Sequence, residues 1–230
     1  MELLLLVAKR PQHLLGTMMI KGNLYILGAG GLAREIYSYL KESNYIYDGY
    51  TFSGFLDDNV NALMEYNYSH KIVDELFTSK LNDNDVVIIG VASPNIKEKL
   101  FEYYKDESCS IITFYHTSSK VGLNSTVGIG SVIGPYSVIT SDVKVGNCCT
   151  INALSTIGHD ASLGDYCTLS GHCDVTGFVS LGNKVFMGSS AAIIPSKRIS
   201  DNVIIGAGSV VISNLKSGIT VFGNPAKKIR

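Results

Sequence analysis

The most regular feature of the chain is a six-residue pattern of hydrophobic and polar positions between Val121 and Lys216. Read in sixes, the first position is aliphatic in 16 consecutive hexads, without an insertion. These positions are Val121, Val127, Ile133, Ile139, Val145, Ile151, Ile157, Leu163, Leu169, Val175, Leu181, Met187, Ile193, Ile199, Ile205 and Val211. Neither a 3.6-residue helical period nor two-residue alternation produces a period of six. A fixed period this short predicts a parallel β-helix.

Small residues follow the aliphatic position in a regular way. The second position is glycine in nine hexads (Gly122, Gly128, Gly134, Gly146, Gly158, Gly164, Gly182, Gly188 and Gly206), and the fifth position is usually small. We expect these glycines to adopt the left-handed backbone conformations that a bend needs. Three short strands would close a triangular coil, so residues 18 apart would stack at about 4.8 Å. The repeat therefore predicts about five stacked coils.

The residues before the repeat show alternating strand and helix patterns. Strands are predicted at Asn23–Ala29, Thr51–Leu56, Val86–Ala92 and Cys109–Tyr115, and helices at Gly31–Glu42, Ser69–Leu81 and Pro94–Lys105. This alternation predicts a small Rossmann-like α/β domain on a parallel sheet, followed by the all-β solenoid. The expected division is an N-terminal extension at 1–20, an α/β domain at 21–116 and a β-helix domain at 117–230.

Composition narrows the classes of partner. Net charge is −1 and no block of like charges occurs, so nothing favours a nucleic-acid partner. The apolar stretch Leu3–Ala8 is too short to span a membrane and lacks the flanks of a signal peptide. The five cysteines have no disulfide-like spacing. Cys149, Cys167 and Cys173 lie at the small fifth position and are expected to be free and buried, which suits a reducing cytoplasm. We therefore expect a cytoplasmic protein without a membrane partner.

A glycine-rich turn joins the first predicted strand to the first helix. Gly28, Gly30 and Gly31 lie at this turn, and Asp57-Asp58 end the next strand. Backbone N–H groups at such a helix start can bind a phosphate. The turn fits the dinucleotide fingerprint only loosely, and the domain is about half the size of a full dinucleotide-binding fold. A nucleotide sugar is therefore favoured over a nicotinamide dinucleotide, with a ligand-free turn as the alternative.

Stacking at 18-residue intervals gives three corner columns, formed by the third positions of the hexads. The first corner holds Ile129, Asn147, Asp165, Asn183 and Asp201, the second holds Pro135, Ala153, Gly171, Ser189 and Ala207, and the third holds Leu123, Ser141, His159, Gly177 and Pro195. The first corner is expected to be a solvated edge, because Asn and Asp tolerate left-handed turns. The small residues of the second corner predict either a groove for a pantetheine arm or merely a tight corner.

A histidine stands in the third corner with no side chain on the coil above it. Gly177 leaves room beside His159, and Asp160 can orient the imidazole. Histidine suits general-base catalysis at neutral pH. We therefore expect His159 to be a catalytic base.

Several motifs carry a resemblance to a known family. They are Ile151-Asn152, Ile157-Gly158-His159-Asp160, Gly177 and Val221–Lys227. They are similar to the left-handed β-helix (hexapeptide-repeat) sugar acyltransferases, which include sialic-acid O-acetyltransferases and N-acetyltransferases acting on nucleotide-linked 4-amino-sugars. The resemblance covers about Gly22 to Arg230.

The resemblance implies a role for each candidate residue. It implies that His159 is the base, that Asp160 supports it and that Asn152 contacts the reacting centre. The N–H groups of Gly177, Ser189 and Ala207 would hold acetyl-CoA, and Gly28, Gly30, Gly31, Asp57 and Asp58 would hold the nucleotide sugar. The family also implies a C3 homotrimer with the coenzyme between adjacent subunits. The sequence departs from the family at Leu32, Thr168 and His172.

The function that the sequence and the resemblance favour is acetylation of the amine of a nucleotide-linked 4-amino-4,6-dideoxyhexose during surface-polysaccharide synthesis. Sugar O-acetylation of the sialic-acid type is the second hypothesis. A zinc lyase like the solenoid carbonic anhydrases is a different enzyme class, but the coils lack the close histidine pair that such a site needs, so no metal is expected. A scaffold subunit without catalysis is the remaining alternative.

Overall fold

The computed structural model describes residues 20–78 and 80–230. These residues fall into two compact units, with the main boundary between Ile112 and Thr113. The expected N-terminal extension at 1–20 lies outside the described residues except for Ile20.

The first unit is an α/β domain built on one sheet of six strands. Its elements are β1 (Gly22–Leu27), α1 (Gly31–Lys41), β2 (Ile46–Tyr47), β3 (Tyr50–Leu56), β4 (Ile72–Asp74), β5 (Asp85–Ile89), α2 (Pro94–Tyr104) and β6 (Ser110–Ile111). The order is β2-β3-β1-β5-β6, and β4 also pairs with β3. All pairs are parallel except the β2–β3 hairpin. Every residue of β5 is buried, as expected for a central parallel strand.

Two predictions for this part of the chain were wrong. The segment predicted as a helix at Ser69–Leu81 instead contains β4, because its β-branched residues pair with β3. The Asp74 carboxylate then accepts hydrogen bonds from the Glu75 N–H and the Thr78 hydroxyl, which compete with helical bonding. The predicted strand Cys109–Tyr115 is two strands in different sheets, since Phe114–Tyr115 pairs with a solenoid strand.

The second unit is a left-handed parallel β-solenoid, which confirms the predicted fold. Its strands are β7 (Phe114–Tyr115), β8 (Lys120–Val121), β9 (Thr126–Val127), β10 (Val132–Ile133), β11 (Val138–Ile139), β12 (Lys144–Val145), β13 (Thr150–Ile151), β14 (Thr156–Ile157), β15 (Ser162–Leu163), β16 (Thr168–Leu169), β17 (Asp174–Val175), β18 (Ser180–Leu181), β19 (Phe186–Met187), β20 (Ala192–Ile193), β21 (Arg198–Ile199), β22 (Ile204–Ile205), β23 (Val210–Val211), β24 (Thr220–Phe222) and β25 (Lys227–Lys228).

These strands form three sheets along the solenoid. The eight-stranded sheet runs β25-β24-β22-β19-β16-β13-β10-β7, the six-stranded sheet β23-β20-β17-β14-β11-β8, and the five-stranded sheet β21-β18-β15-β12-β9. Strands three apart in sequence pair in parallel, so Ile133 pairs with Ile151 and Ile151 with Leu169. The first-position side chains fill the core between the sheets.

The left-handed backbone positions differ from the sequence prediction. A positive φ recurs at the fourth position of the hexad, not at the second-position glycines. The non-glycine residues there are Asn124, Tyr136, Asp142, Cys148, Leu154, Asp160, Tyr166, His172, Phe178, Lys184, Ser190, Ser196 and Asn202. Close packing of the coils explains the second-position glycines instead. A Cβ at Gly128 would lie 2.5 Å from the Gly146 carbonyl carbon, and one at Gly158 would lie 2.5 Å from the Gly177 nitrogen.

A ladder of side-chain hydrogen bonds holds the first corner together. This ladder explains the Asn and Asp residues there, whereas the predicted reason, that Asn and Asp tolerate left-handed turns, does not. Each Asn or Asp oxygen accepts the N–H of the residue 18 earlier. Asn147 Oδ1 accepts from Ile129 at 3.1 Å, and Asp165 Oδ1 accepts from Asn147 at 2.7 Å. Asn183 and Asp201 continue the ladder. This corner therefore uses its third-position N–H groups internally.

The five cysteines are free and buried, which confirms the prediction for Cys149, Cys167 and Cys173. Three of them occupy the fifth position of a hexad and donate to a carbonyl of the next coil. For example, Cys149 Sγ lies 3.1 Å from the Gly164 carbonyl oxygen, and Cys173 Sγ lies 3.2 Å from that of Gly188. Ser155 makes the same bond to Ser170. Burial raises the pKa of the Cys173 thiol to about 11, which suits a packing role.

Candidate functional site

His159 and Asp160 lie at the third corner of the solenoid, directly after β14. His159 Nδ1 lies 2.8 Å from Asp160 Oδ2, and the two side chains are 62% and 45% exposed. An ionised carboxylate can only accept a hydrogen bond, so this contact assigns the proton of the neutral ring to Nδ1. Nε2 then keeps its lone pair and can accept a proton.

Gly177 lies one coil above His159 and leaves the space that the imidazole occupies. A Cβ on Gly177 would lie 2.9 Å from His159 Nε2 and 3.0 Å from its Cε1. Within the described residues, the Gly177 N–H has no hydrogen-bond acceptor. A basic nitrogen and a free backbone donor therefore lie at one corner.

Phe178 also borders the imidazole, although it was not among the residues predicted to form the site. Its ring centroid lies 5.1 Å from that of His159 at an interplanar angle of 88°. The 18-residue spacing places it one coil above Asp160 and could have identified it. The Phe178 N–H donates to the His159 carbonyl at 3.0 Å.

The second corner presents a column of unused backbone donors. In the part of the chain that the structure describes, the N–H groups of Gly171, Ser189 and Ala207 have no acceptor, in contrast to those of the first corner. Ser189 and Ala207 are both exposed. A chain of amide carbonyls, such as a pantetheine arm, could accept these N–H groups.

Asn152 and His172 belong to the second corner, and His159 belongs to the third. Asn152 Oδ1 accepts the Ala153 N–H at 2.7 Å. His172 is exposed at a left-handed position, and its N–H donates to the Ala153 carbonyl. The structure of one chain therefore brings Asp160 and Gly177 to His159 but leaves Asn152 at another corner.

The glycine turn of the first unit lies beside the end of β3. Gly28 has a φ of +97°, and a Cβ there would lie 2.8 Å from a Val91 methyl. Asp57 Oδ2 accepts the Ala29 N–H at 2.7 Å, so Asp57 already uses one donor of the turn. Asp58 accepts the Leu76 N–H.

The other two glycines leave the turn open. A Cβ on Gly30 or Gly31 would meet nothing within 4 Å. Gly30 caps α1 without a side-chain hydrogen bond, and the first turn of α1 contains no acidic residue. A phosphate at this helix start would be favoured by the free N–H groups and by the helix dipole.

Among residues 20–78 and 80–230, no group of three His, Cys, Asp or Glu side chains could hold a metal ion. Over the same residues, neither helix has the length and hydrophobicity that crossing a membrane requires.

Comparisons with known proteins agree with this architecture. Residues 23–104 match the family described as PglD N-terminal domain. No curated protein matches the sequence significantly.

Solved structures match over both units. One is a histidine-to-asparagine mutant of perosamine N-acetyltransferase from Caulobacter crescentus in complex with CoA and GDP-perosamine, with 24% identity, a TM-score of 0.80, and coverage of 91% of this chain and 97% of that chain. Another is the acetyltransferase domain of PglB from Neisseria gonorrhoeae FA1090 in complex with acetyl coenzyme A, with 22% identity, a TM-score of 0.81, and coverage of 91% and 99%. A third is WeeI from Acinetobacter baumannii AYE, with 25% identity, a TM-score of 0.80, and coverage of 90% and 100%.

The fold is therefore an α/β domain joined to a left-handed β-helix, as in these solved structures. Residues 23–104 of the first unit are similar to the PglD N-terminal domain family. The resemblance drawn from the sequence motifs is confirmed by this match and by the shared fold.

Proposed function

We propose that the protein transfers an acetyl group from acetyl-CoA to the amine of a nucleotide-linked amino-sugar. The observation that carries this proposal is the His159–Asp160 contact of 2.8 Å beside Gly177. The comparisons add support, because similar structures have CoA with GDP-perosamine, or acetyl coenzyme A, bound.

In the proposed reaction, the neutral amine attacks the thioester carbonyl carbon, and a tetrahedral intermediate forms. The new nitrogen centre is cationic and must lose a proton, which His159 Nε2 accepts. Asp160 stabilises the resulting imidazolium through Nδ1. The carbonyl oxygen becomes an oxyanion, for which the free Gly177 N–H is a donor. Collapse of the intermediate breaks the C–S bond, and the imidazolium returns the proton to the coenzyme sulfur.

The unused donors of the second corner support acetyl-CoA as the donor substrate. The Gly171, Ser189 and Ala207 N–H groups form a column along the solenoid. Pantetheine carries amide carbonyls that can accept such N–H groups. Binding by backbone donors also explains why this corner needs only small side chains.

Replacing His159 is the direct test of the catalytic role. General-base catalysis contributes about 10²–10⁴-fold, so we expect His159→Ala to lower kcat by that factor. Asp160→Asn should lower kcat less, because the base itself remains. The measurement is acetyl-CoA turnover with a panel of nucleotide-linked 4-amino-sugars and free sialic acids, which also distinguishes N- from O-acetylation.

Asn202→Ala is the control, since it removes an exposed polar side chain from the first corner, away from the two corners that carry the candidate site. It should retain the turnover of the unmodified protein. If His159→Ala kept full turnover on the preferred substrate, another group would have to be the base, and the proposed mechanism would be wrong.

The glycine turn supports binding of the nucleotide part. Gly30→Ala should leave the melting temperature unchanged, because Gly30 has a φ of −74° and open space around a Cβ. The added methyl group would occupy the space that a phosphate needs, so binding should weaken. Calorimetric titration with GDP-, UDP- and dTDP-linked amino-sugars measures this effect. Binding of NAD without binding of any nucleotide sugar would reverse the assignment.

A further inference from the structure

Phe178 differs from the other residues of its column. The fourth positions of the third corner are Asn124, Asp142, Asp160, Phe178 and Ser196, so Phe178 is the one large apolar side chain among polar ones. Phe178 does not belong to the hydrophobic core, because it is 58% exposed. Core packing therefore does not account for an aromatic ring at this position.

The contact that Phe178 makes is with the proposed base. The two rings meet edge to face, with centroids 5.1 Å apart and planes at 88°. This is a favoured arrangement for aromatic rings, because the positive edge of one faces the negative face of the other. The hydrogen bond from the Phe178 N–H to the His159 carbonyl fixes the two residues on adjacent coils.

The His159 side chain is 62% exposed, so burial does not fix the orientation of its ring. The Asp160 contact fixes Nδ1 but does not by itself prevent the ring from tilting about that hydrogen bond. Gly177 provides space on one side and no side chain to restrain the ring. Phe178 provides a restraint.

We propose that Phe178 is a positioning residue that holds the plane of the His159 ring, so that Nε2 faces the reacting amine. This inference rests on the proposed role of His159 as the base. It assigns Phe178 an effect on turnover and not on the binding of either substrate.

The test compares Phe178→Ala, Phe178→Leu and Phe178→Tyr by steady-state kinetics with acetyl-CoA and the preferred amino-sugar. Misplacement of a catalytic group by about 1 Å can cost about 10²-fold, so kcat should fall between tenfold and a hundredfold in Phe178→Ala. Phe178→Leu keeps apolar volume without a ring and should also lower kcat. Phe178→Tyr keeps the ring and should restore it. Both KM values should stay within about twofold.

Tyr166→Ala is the matched control, because Tyr166 is an aromatic residue at the same left-handed hexad position of the first corner. It should leave kcat unchanged. Melting curves of all variants identify any loss of folding. Phe178→Leu is the most informative variant in this respect, because it keeps most of the apolar volume and removes only the ring.

A double variant separates positioning from other effects. If Phe178 acts through His159, Phe178→Ala should lower kcat no further in a His159→Ala background. A raised KM for the amino-sugar with unchanged kcat would overturn the inference and make Phe178 an acceptor contact. Unchanged kinetics in Phe178→Ala would also overturn it. Full activity of His159→Ala would instead refute the proposed role of His159 as the base, whatever the effect of Phe178.

Discussion

At the scale of single residues, the repeat was enough to predict which residues of the candidate site lie next to each other. It was not enough to predict the orientation of their side chains, which depends on rotamers. The 18-residue spacing placed Gly177 above His159, and in the structure a Cβ on Gly177 would meet the His159 ring. The chain neighbour Asp160 could be predicted as the partner of Nδ1. The spacing does not give the 88° angle between His159 and Phe178, because that angle depends on two side-chain rotamers.

The sequence also did not reveal that Asp57 is already engaged. Its carboxylate accepts the Ala29 N–H of the glycine turn, a contact between residues 28 apart in the chain. No period relates these two residues, so pattern analysis could only place both near strand ends. Asp57 therefore shapes the turn in addition to any contact it makes with a ligand.

The space that Gly177 leaves beside His159 gives a prediction at this scale. Gly177 does not have a positive φ, so alanine causes no backbone strain there. Its Cβ would lie 2.9 Å from His159 Nε2 and must displace the ring. We therefore expect Gly177→Ala to lower kcat at least tenfold, since a misplaced base loses much of its effect, with an unchanged melting temperature. Turnover assays and differential scanning calorimetry measure the two quantities.

Lys184→Ala is the control for this variant, because Lys184 lies at the first corner, away from both corners that carry the candidate site. Its kcat should match that of the unmodified protein. Normal turnover in Gly177→Ala would mean that the imidazole position does not limit the reaction.

At the scale of elements, the strands of the solenoid could be predicted almost residue by residue, whereas the reason for its glycines could not. A period of six fixes both the strand positions and the neighbours 18 residues away. The prediction assigned left-handed φ values to glycine because glycine adopts them most easily. In the structure the close approach of successive coils excludes a Cβ at the second position, and the left-handed turn falls two residues later.

This distinction predicts opposite outcomes for two alanine substitutions. A Cβ on Gly146 would lie 2.6 Å from Asp165 Oδ1 and 2.7 Å from the Gly164 carbonyl carbon. Overpacking of this kind costs about 1–3 kcal/mol, so Gly146→Ala should lower the melting temperature by about 2–12 °C. A Cβ on Gly171 would approach nothing closer than 3.5 Å, so Gly171→Ala should melt like the unmodified protein. Equal melting temperatures for the two variants would contradict the steric explanation.

The errors in the first unit have a different cause. Between β3 and β5 the chain has no repeat, and the segment 69–81 combines helix-forming residues with the β-branched pair of β4. Strand pairing with β3 decides the outcome, and pairing across the chain is not visible in local composition. Local patterns therefore predicted β1, β3, β5 and both helices but not β2 or β4.

At the scale of the whole molecule, the positions of the candidate residues around the solenoid bear on its assembly. In one chain, His159 lies at the third corner, while Asn152 and the free donors of Ser189 and Ala207 lie at the second. A second copy could bring its second corner to the third corner of the first. Three copies related by a three-fold axis would complete three equivalent sites without leaving an open interface.

We therefore predict a C3 homotrimer that is required for activity. Exposed apolar side chains lie at both corners, with Tyr136 65% and Leu154 47% exposed at the second and Leu123 80% exposed at the third. Light scattering on a size-exclusion column should give three times the mass of one chain.

A double variant, Tyr136→Asp with Leu154→Asp, should give monomers with an unchanged circular dichroism spectrum and little turnover, because each monomer would lack the donor column beside its base. Lys184→Asp, which changes charge at the same hexad position of the first corner, should remain trimeric and active. A fully active monomer would contradict this prediction. The coenzyme would then have to bind next to His159 within one chain, without the donor column of a second copy.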